Sequence, residues 1–281
     1  MPWAAVIGSP ISHSLSPVLH RAAWDSLGLG EDWEYLRLEQ TSDTLPTLLA
    51  SLDEDCVGLS VTMPCKQAVM PLLDVIDPLA EAVGSTNTVV PSAQVLTGFN
   101  TDVHGILRAV TEARGAAGLG RARSAVVLGA RATASSAVAA LGSLHTDHVT
   151  VVARHFAGPG TVATAATRLG IEVEMVPWAR TDAVREVIER ADVLVSTVPA
   201  GAADDLARTL APRPDQVLLD VVYSPLETPL VRTWRDHGAP VAHGLEMLLH
   251  QAVLQVRLMT GRDPDIAWMR RAMLAAVTGQ G

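Results

Sequence analysis

The chain has 281 residues, of which 48% are hydrophobic and 18% charged; this is an ordinary globular composition on a length that exceeds one compact core, so two domains are expected. The formal net charge of −9 gives no bulk attraction for phosphate backbones and removes nucleic acid as an expected partner. Two isolated cysteines, Cys56 and Cys65, supply neither a disulfide framework nor a zinc site, so no metal is expected and a reducing compartment fits.

The longest charge-free stretches, residues 1–20 and 82–101, are broken by Pro, Ser, Asn and Gly, so neither reads as a membrane span. The N-terminus has no basic segment followed by an apolar run, and a cytoplasmic location is expected. Of the 21 Lys and Arg residues, 20 are arginine and one, Lys66, is lysine.

Short apolar, β-branched runs alternate with helical stretches throughout, the pattern of parallel sheets covered by helices. A first strand is predicted over 4–8, followed by Ser12-His13-Ser14-Leu15-Ser16-Pro17. Ser16 and Pro17 read as an N-cap and first helical residue. Ser14 has no such structural role, and hydroxyls beyond a strand's carboxyl end suit a carboxylate or sugar-like hydroxyls. A helix over 17–27, a strand over 33–38 and a helix over 45–52 come next.

A strand over 57–62 leads into Thr62-Met63-Pro64-Cys65-Lys66. A lone lysine is usually a solvated surface residue, but an ammonium can surrender its proton when burial lowers its pKa and a guanidinium cannot. One lysine in a chain that otherwise uses arginine therefore points to a site that moves protons. The segment Gly84-Ser85-Thr86-Asn87-Thr88 opens a strand over 87–90, and a polar, turn-forming segment over 98–102 leads into a helix over 103–113. Locally, Asn87 reads as a turn residue and Asp102 as an N-cap. Three polar clusters at strand ends of one domain point instead to a polyol site, where an Asp beside Lys66 would hold and tune the ammonium.

The Gly- and Arg-rich stretch 114–123 marks a domain boundary. Beyond it, Ala125-Val126-Val127-Leu128-Gly129, a helix to 144 and a strand over 149–153 form the opening of a dinucleotide-binding unit. Strands follow over 172–176, 193–196 and 217–222, then helices over 245–259 and 266–277, where Met247 and Gln251 share a face. The turn Gly129-Ala130-Arg131-Ala132 carries Arg where the dinucleotide fingerprint has its second Gly. Arg154 ends the second strand, where NAD enzymes place an acidic residue; it reads as a partner for the extra phosphate of NADP or as a surface arginine.

Together these segments resemble the shikimate dehydrogenase family. The matching stretches run from Val6 to Pro17, Val61 to Lys66, Gly84 to Thr88, Asn100 to Asp102, Ser196 to Gly201, Asp220 to Pro225 and Gly244 to Ala252, in the family's order and across almost the whole chain. The resemblance implies an α/β fold: an N-terminal substrate domain (1–113), a Rossmann NADP-binding domain (114–243) and C-terminal helices (244–281) that return to the first domain, with the active site in the cleft. It further implies that Ser14, Ser16, Thr62, Asn87, Asp102 and Gln251 bind the substrate's carboxylate and hydroxyls, that Tyr223 approaches it from the other side, and that Lys66 and Asp102 are the catalytic pair. Gly129, Ala130, Arg131, Ala132, Arg154, Thr197, Gly244 and Met247 take the cofactor positions.

The implied reaction is reversible NADP-dependent reduction of 3-dehydroshikimate to shikimate, with a homodimer as an open expectation. The chain departs from the family at Ser60, usually Asn, and at Arg131 and Ala132, usually glycines. It also lacks a second arginine over 156–161. These departures keep NAD open as cofactor, quinate or aminoshikimate as substrate, and a non-catalytic metabolite-binding paralogue as a different class of function.

Overall fold

The computed structural model describes residues 1–156 and 160–279; residues 157–159, part of the uncharged stretch after Arg154, lie outside the described residues. The chain divides into two compact units, Met1–Thr101 with Gln251–Gly281, and Asp102–His250. The helix opening at Asp102 groups with the second unit, so this division lies ahead of the Gly- and Arg-rich stretch at 114–123.

Unit 1 contains, in chain order, β1 (Trp3–Gly8), α1 (Ser16–Ser26), β2 (Glu34–Glu39), α2 (Leu45–Ala50), β3 (Cys56–Val61), α3 (Cys65–Ala68), a 3-10 turn at Met70–Leu72, β4 (Val75–Ile76), α4 (Pro78–Val83), β5 (Thr88–Ser92) and β6 (Val95–Phe99). The sheet order is β2-β1-β3-β5-β6-β4. Strands β1, β2 and β3 are parallel, but β5 runs antiparallel to both β3 and β6. This corrects the expectation of a parallel sheet.

Strands β5 and β6 are joined by a two-residue hairpin at Ala93 and Gln94, with φ of 46° and 67°; positive φ at both central residues gives the twist that joins antiparallel strands. Lacking the Asn-Gly signature, the hairpin leaves no local signal, and Gly98 and Phe99 lie in β6 rather than in a turn. Likewise Leu15, not Ser16, occupies the N-cap of α1, without a side-chain capping bond. Successive β1 residues point to opposite faces: Ala5 and Ile7 pack with Leu59, Val61 and Val89, and Ala4 and Val6 pack with Trp24, Tyr35 and Met259.

Unit 2 opens with α5 (Asp102–Ala116) and continues with β7 (Ser124–Leu128), α6 (Ala132–Ser143), β8 (His148–Ala153), α7 (Val162–Leu169), β9 (Val173–Pro177), α8 (Thr181–Arg190), β10 (Val193–Ser196), α9 (Asp204–Ala207), β11 (Val217–Asp220), α10 (Pro229–Asp236) and β12 (Val241–His243). Its parallel sheet has the order β12-β11-β10-β7-β8-β9, the doubly wound dinucleotide-binding arrangement. The near-continuous apolar strands of this half follow from burial on both faces. Strands β7 and β10 are adjacent, although two strands follow β7 on its other side before the chain returns to β10. Ligands bind at this switch point in such sheets.

Helix α11 (Gly244–Thr260) starts in unit 2, and its 251–260 portion counts with unit 1. Helix α12 (Ile266–Thr278) packs on α1, where Arg262 donates to the Leu27 carbonyl at 2.9 Å and the Asp265 N–H to Ser26 Oγ at 3.1 Å. No helix among the described residues is long and apolar enough to cross a membrane.

Candidate functional site

The mixed topology of unit 1 delivers its polar clusters to one end of the sheet. Residues 9–16 and 62–66 follow the carboxyl ends of the parallel strands β1 and β3. Antiparallel β5 starts at that same end, just after Asn87, and β6 runs back to deliver Asn100 and Thr101. Ser9 N–H donates to the Met63 carbonyl and Thr62 N–H to the Ile7 carbonyl, both at 2.9 Å, and Val61 N–H donates to the Asn87 carbonyl at 2.7 Å. A Cβ at Gly8 would lie 2.4 Å from Thr62 Cγ2 and 2.6 Å from the Met63 carbonyl, so the close approach of the first two loops requires glycine.

Ser14 is half-buried; its Oγ accepts from Ser16 N–H at 3.3 Å, while its carbonyl accepts from Arg37 at 2.8 Å. Ser16 is buried, and His20 Nδ1 donates to its carbonyl at 2.9 Å. Thr62 and Lys66 are half-buried, and the Lys66 carbonyl accepts from Thr86 N–H at 2.9 Å. The tightest convergence is at Asn87, Thr101 and Gln251. Asn87 Oδ1 accepts from Thr101 N–H at 2.7 Å, and a backbone donor leaves no choice of amide orientation. Asn87 Nδ2 therefore donates to Thr101 Oγ1 at 2.8 Å and to Gln251 Oε1 at 3.2 Å. With Oε1 turned toward Asn87 and Thr101, Gln251 carries its amide nitrogen on the other side.

Behind this cluster lies a buried network that the sequence reading missed. The Tyr35 hydroxyl donates to Ser60 Oγ at 2.7 Å, and Ser60 donates to Gln255 Oε1 at 2.9 Å. Gln255 Nε2 donates to the Asn87 carbonyl at 3.0 Å and to Thr88 Oγ1 at 2.9 Å. Gln255 was detectable in principle, because it lies four residues after Gln251 and shares its helix face. Tyr35 carried no local signal. Burial pushes its phenol above the ordinary range, opposed by hydrogen bonds with Ser60 and Ser16.

In unit 2, Gly129 follows β7 with φ +113°, and a Cβ there would lie 2.3 Å from Thr197 Oγ1. Thr197 N–H and Oγ1 donate to the Leu128 carbonyl at 2.9 and 2.6 Å, fixing the loop after β10 against that after β7. Ala130 is buried, and Arg131, exposed and extended, occupies the N-cap of α6 without a side-chain capping bond; Ala132 starts the helix. An N-terminus without a side-chain cap favours phosphate. Arg154 is exposed just beyond β8, and with Arg131 these groups fit a phosphate-bearing dinucleotide.

A Cβ at Gly244 would lie 2.4 Å from the Val221 carbonyl, so glycine lets α11 start against the loop after β11; Met247 is buried one turn later. That loop is held by Asp220, which accepts from Val222 N–H at 3.2 Å and from Thr228 Oγ1 at 2.7 Å. It carries Tyr223, whose phenol burial pushes up. Asp102 is buried as the first residue of α5, covalently next to Thr101.

Among the described residues, Glu112, Glu246 and His250 bring three potential metal-ligand atoms within 4.8 Å of one another. Glu112 already accepts from Arg108 at 2.8 Å through one oxygen and meets His250 Nε2 at 3.0 Å through the other. Both carboxylate oxygens of Glu112 are thus already engaged by protein side chains.

A family model described as the shikimate dehydrogenase substrate binding domain matches residues 6–89, and one described as the shikimate 5'-dehydrogenase C-terminal domain matches residues 244–274. A shikimate dehydrogenase (NADP(+)) from Geobacter sp. (strain M21) is 38% identical, the alignment covering 98% of this chain and 96% of that protein. The solved shikimate dehydrogenase of Mycobacterium tuberculosis is similar with a TM-score of 0.85 and 39% identity, over 98% of this chain and 100% of that one. The quinate dehydrogenase of Corynebacterium glutamicum, solved in complex with NAD, is similar with a TM-score of 0.84 and 31% identity, over 98% of this chain and 99% of that one.

Proposed function

The chain belongs to the shikimate dehydrogenase family, and from that premise we propose that it is an NADP-dependent oxidoreductase that interconverts 3-dehydroshikimate and shikimate in aromatic amino-acid (chorismate) biosynthesis. The observation that carries this reading is the Asn87, Thr101 and Gln251 cluster, drawn from three separated segments to the strand end that also bears Thr62 and Lys66. We assign substrate binding to Ser14, Ser16, Thr62, Asn87, Asp102, Tyr223 and Gln251. Cofactor binding falls to Gly129, Ala130, Arg131, Ala132, Arg154, Thr197, Gly244 and Met247.

The nicotinamide, when bound, supplies or accepts the hydride. A carbonyl carbon that receives hydride leaves an alkoxide, which needs a nearby positive charge and a proton. Lys66 provides both from its ammonium. Asp102 orients Lys66 and binds the reacting hydroxyl. In the oxidation direction the same pair removes the hydroxyl proton.

Initial rates with shikimate and quinate, each against NADP and NAD, test the assignment. Shikimate with NADP is expected to be fastest. Protein that binds both shikimate and NADP and reduces no NADP would overturn the reading; protein that binds shikimate and fails to bind NADPH in a calorimetric titration would select the metabolite-binding role. NAD is the second reading for the cofactor, favoured by Arg131 and Ala132 in the glycine turn; quinate and aminoshikimate differ from shikimate by groups that small pocket changes accommodate, and a substrate panel ranks them. The two cysteines are free and buried, which suits the cytoplasmic location we assign. Light scattering decides between a monomer and the homodimer kept open.

A further inference from the structure

We propose that Tyr35, Ser60 and Gln255 are positioning residues whose hydrogen bonds run in one direction and lock the amide of Asn87, setting affinity for the polyol substrate without touching it. The inference rests on the substrate site assigned above.

The direction follows from counting protons. The Asn87 carbonyl can only accept, so the atom of Gln255 facing it at 3.0 Å must be the amide nitrogen, and Oε1 faces Ser60. An amide oxygen can only accept, so Ser60 spends its single proton on Gln255, and the bond from Tyr35 to Ser60 must carry the phenol proton. At the other end, the second hydrogen of Gln255 Nε2 goes to Thr88 Oγ1, and Thr88 in turn donates to Asn87 Oδ1 at 3.0 Å. Asn87 is thereby held from its carbonyl and from its side chain by one chain of bonds.

Every member is buried: Tyr35 is 1% exposed, Ser60 4%, Gln255 1% and Thr88 0%. No reversal is available inside, because each reversal would leave two donors or two acceptors facing each other. Such a network is costly to break at one point, since the partners left behind cannot turn to water. Gln255 is one helical turn from Gln251, whose carbonyl faces Asn87, so the same helix supplies both the residue that meets the substrate and the residue that braces its neighbour.

The test compares Ser60→Ala, Tyr35→Phe and Ser60→Thr in the full chain. Ser60→Ala removes both bonds of the middle link and is expected to raise the KM for shikimate about tenfold, with kcat within about twofold and the KM for NADP unchanged, as for lost uniform binding. Tyr35→Phe should move the same constant by a smaller factor, and Ser60→Thr, which keeps the hydroxyl, should return to within about twofold of wild type. A Ser60→Ala protein with a lowered thermal midpoint and an unmoved KM for shikimate would overturn the relay and leave a structural role. Absence of wild-type shikimate turnover would refute the functional reading instead. The relay is then read from the Asn87 Nδ2 protons by NMR: exchange accelerated at least about tenfold by Ser60→Ala supports it, and unchanged exchange overturns it.

Discussion

Acidification should destabilise the protein through His20, by an amount the structure sets. The ring is fully buried, donates from Nδ1 to the Ser16 carbonyl at 2.9 Å, and stacks on Tyr35 with centroids 4.2 Å apart. Its Nε2 has no hydrogen-bond partner among the described residues, so a proton there would place a charge in an apolar wall. Burial accordingly lowers the pKa from 6.5 to about 4, against a smaller opposing effect of the Ser16 carbonyl. Between those values the unfolded chain binds a proton that the folded chain refuses, so stability is fully present above pH 6.5 and falls as the pH drops toward 4. At 1.36 kcal/mol per pH unit, the loss is about 2 kcal/mol at pH 5 and about 3 kcal/mol at pH 4. Urea unfolding followed by circular dichroism at pH 7, 6 and 5 reads this, with His20→Gln as control, because a glutamine amide can still donate to the Ser16 carbonyl. Between pH 7 and 5 the variant should lose about 2 kcal/mol less than wild type. Equal losses in the two proteins would refute the buried neutral histidine.

Other changes should separate the two units' roles. Gly129→Ala forces a side chain to φ +113° and to within 2.3 Å of Thr197 Oγ1; it should cost about 1–3 kcal/mol of stability and weaken NADPH binding by calorimetry, leaving shikimate binding intact. Arg154→Ala should raise the KM for NADP about 10- to 100-fold, as expected for a lost charge-assisted phosphate contact, and leave the KM for NAD unchanged. Trp234→Ala empties a fully buried position whose Nε1 donates to the Gln216 carbonyl at 3.1 Å, and urea unfolding should show a loss of about 3–5 kcal/mol.

The second unit was legible from sequence because its strands are buried on both faces and read as unbroken apolar runs, from Val126 to Leu128 and from Val193 to Val195. The first unit was harder, since β6 is announced by neither of its turn residues, Ala93 and Gln94, and their positive φ is a tertiary outcome. The polar segments at strand ends that carry the proposed substrate residues Ser14, Thr62 and Asn87 were visible beside apolar runs; Thr101 lay in such a segment, but its neighbour Asp102 drew the assignment instead. Tyr35 was not, since an aromatic in a half-buried strand looks the same whether or not its hydroxyl finds Ser60, 25 residues away. Helix boundaries shifted by up to three residues, as at the end of α5, and at Ser16 a shift of one residue changed the meaning: the side chain is not spent on capping.

The most direct measurement compares Lys66→Ala and Lys66→Arg with wild type for shikimate-dependent reduction of NADP, with shikimate affinity determined separately. A proton-transferring lysine predicts that both variants lose turnover by about 10²- to 10⁴-fold, while shikimate affinity stays within about tenfold, or ~1.4 kcal/mol. Arginine keeps the charge and cannot pass the proton. A Lys66→Arg enzyme with near wild-type turnover, or variants that lose affinity and turnover in equal measure, would contradict the assignment.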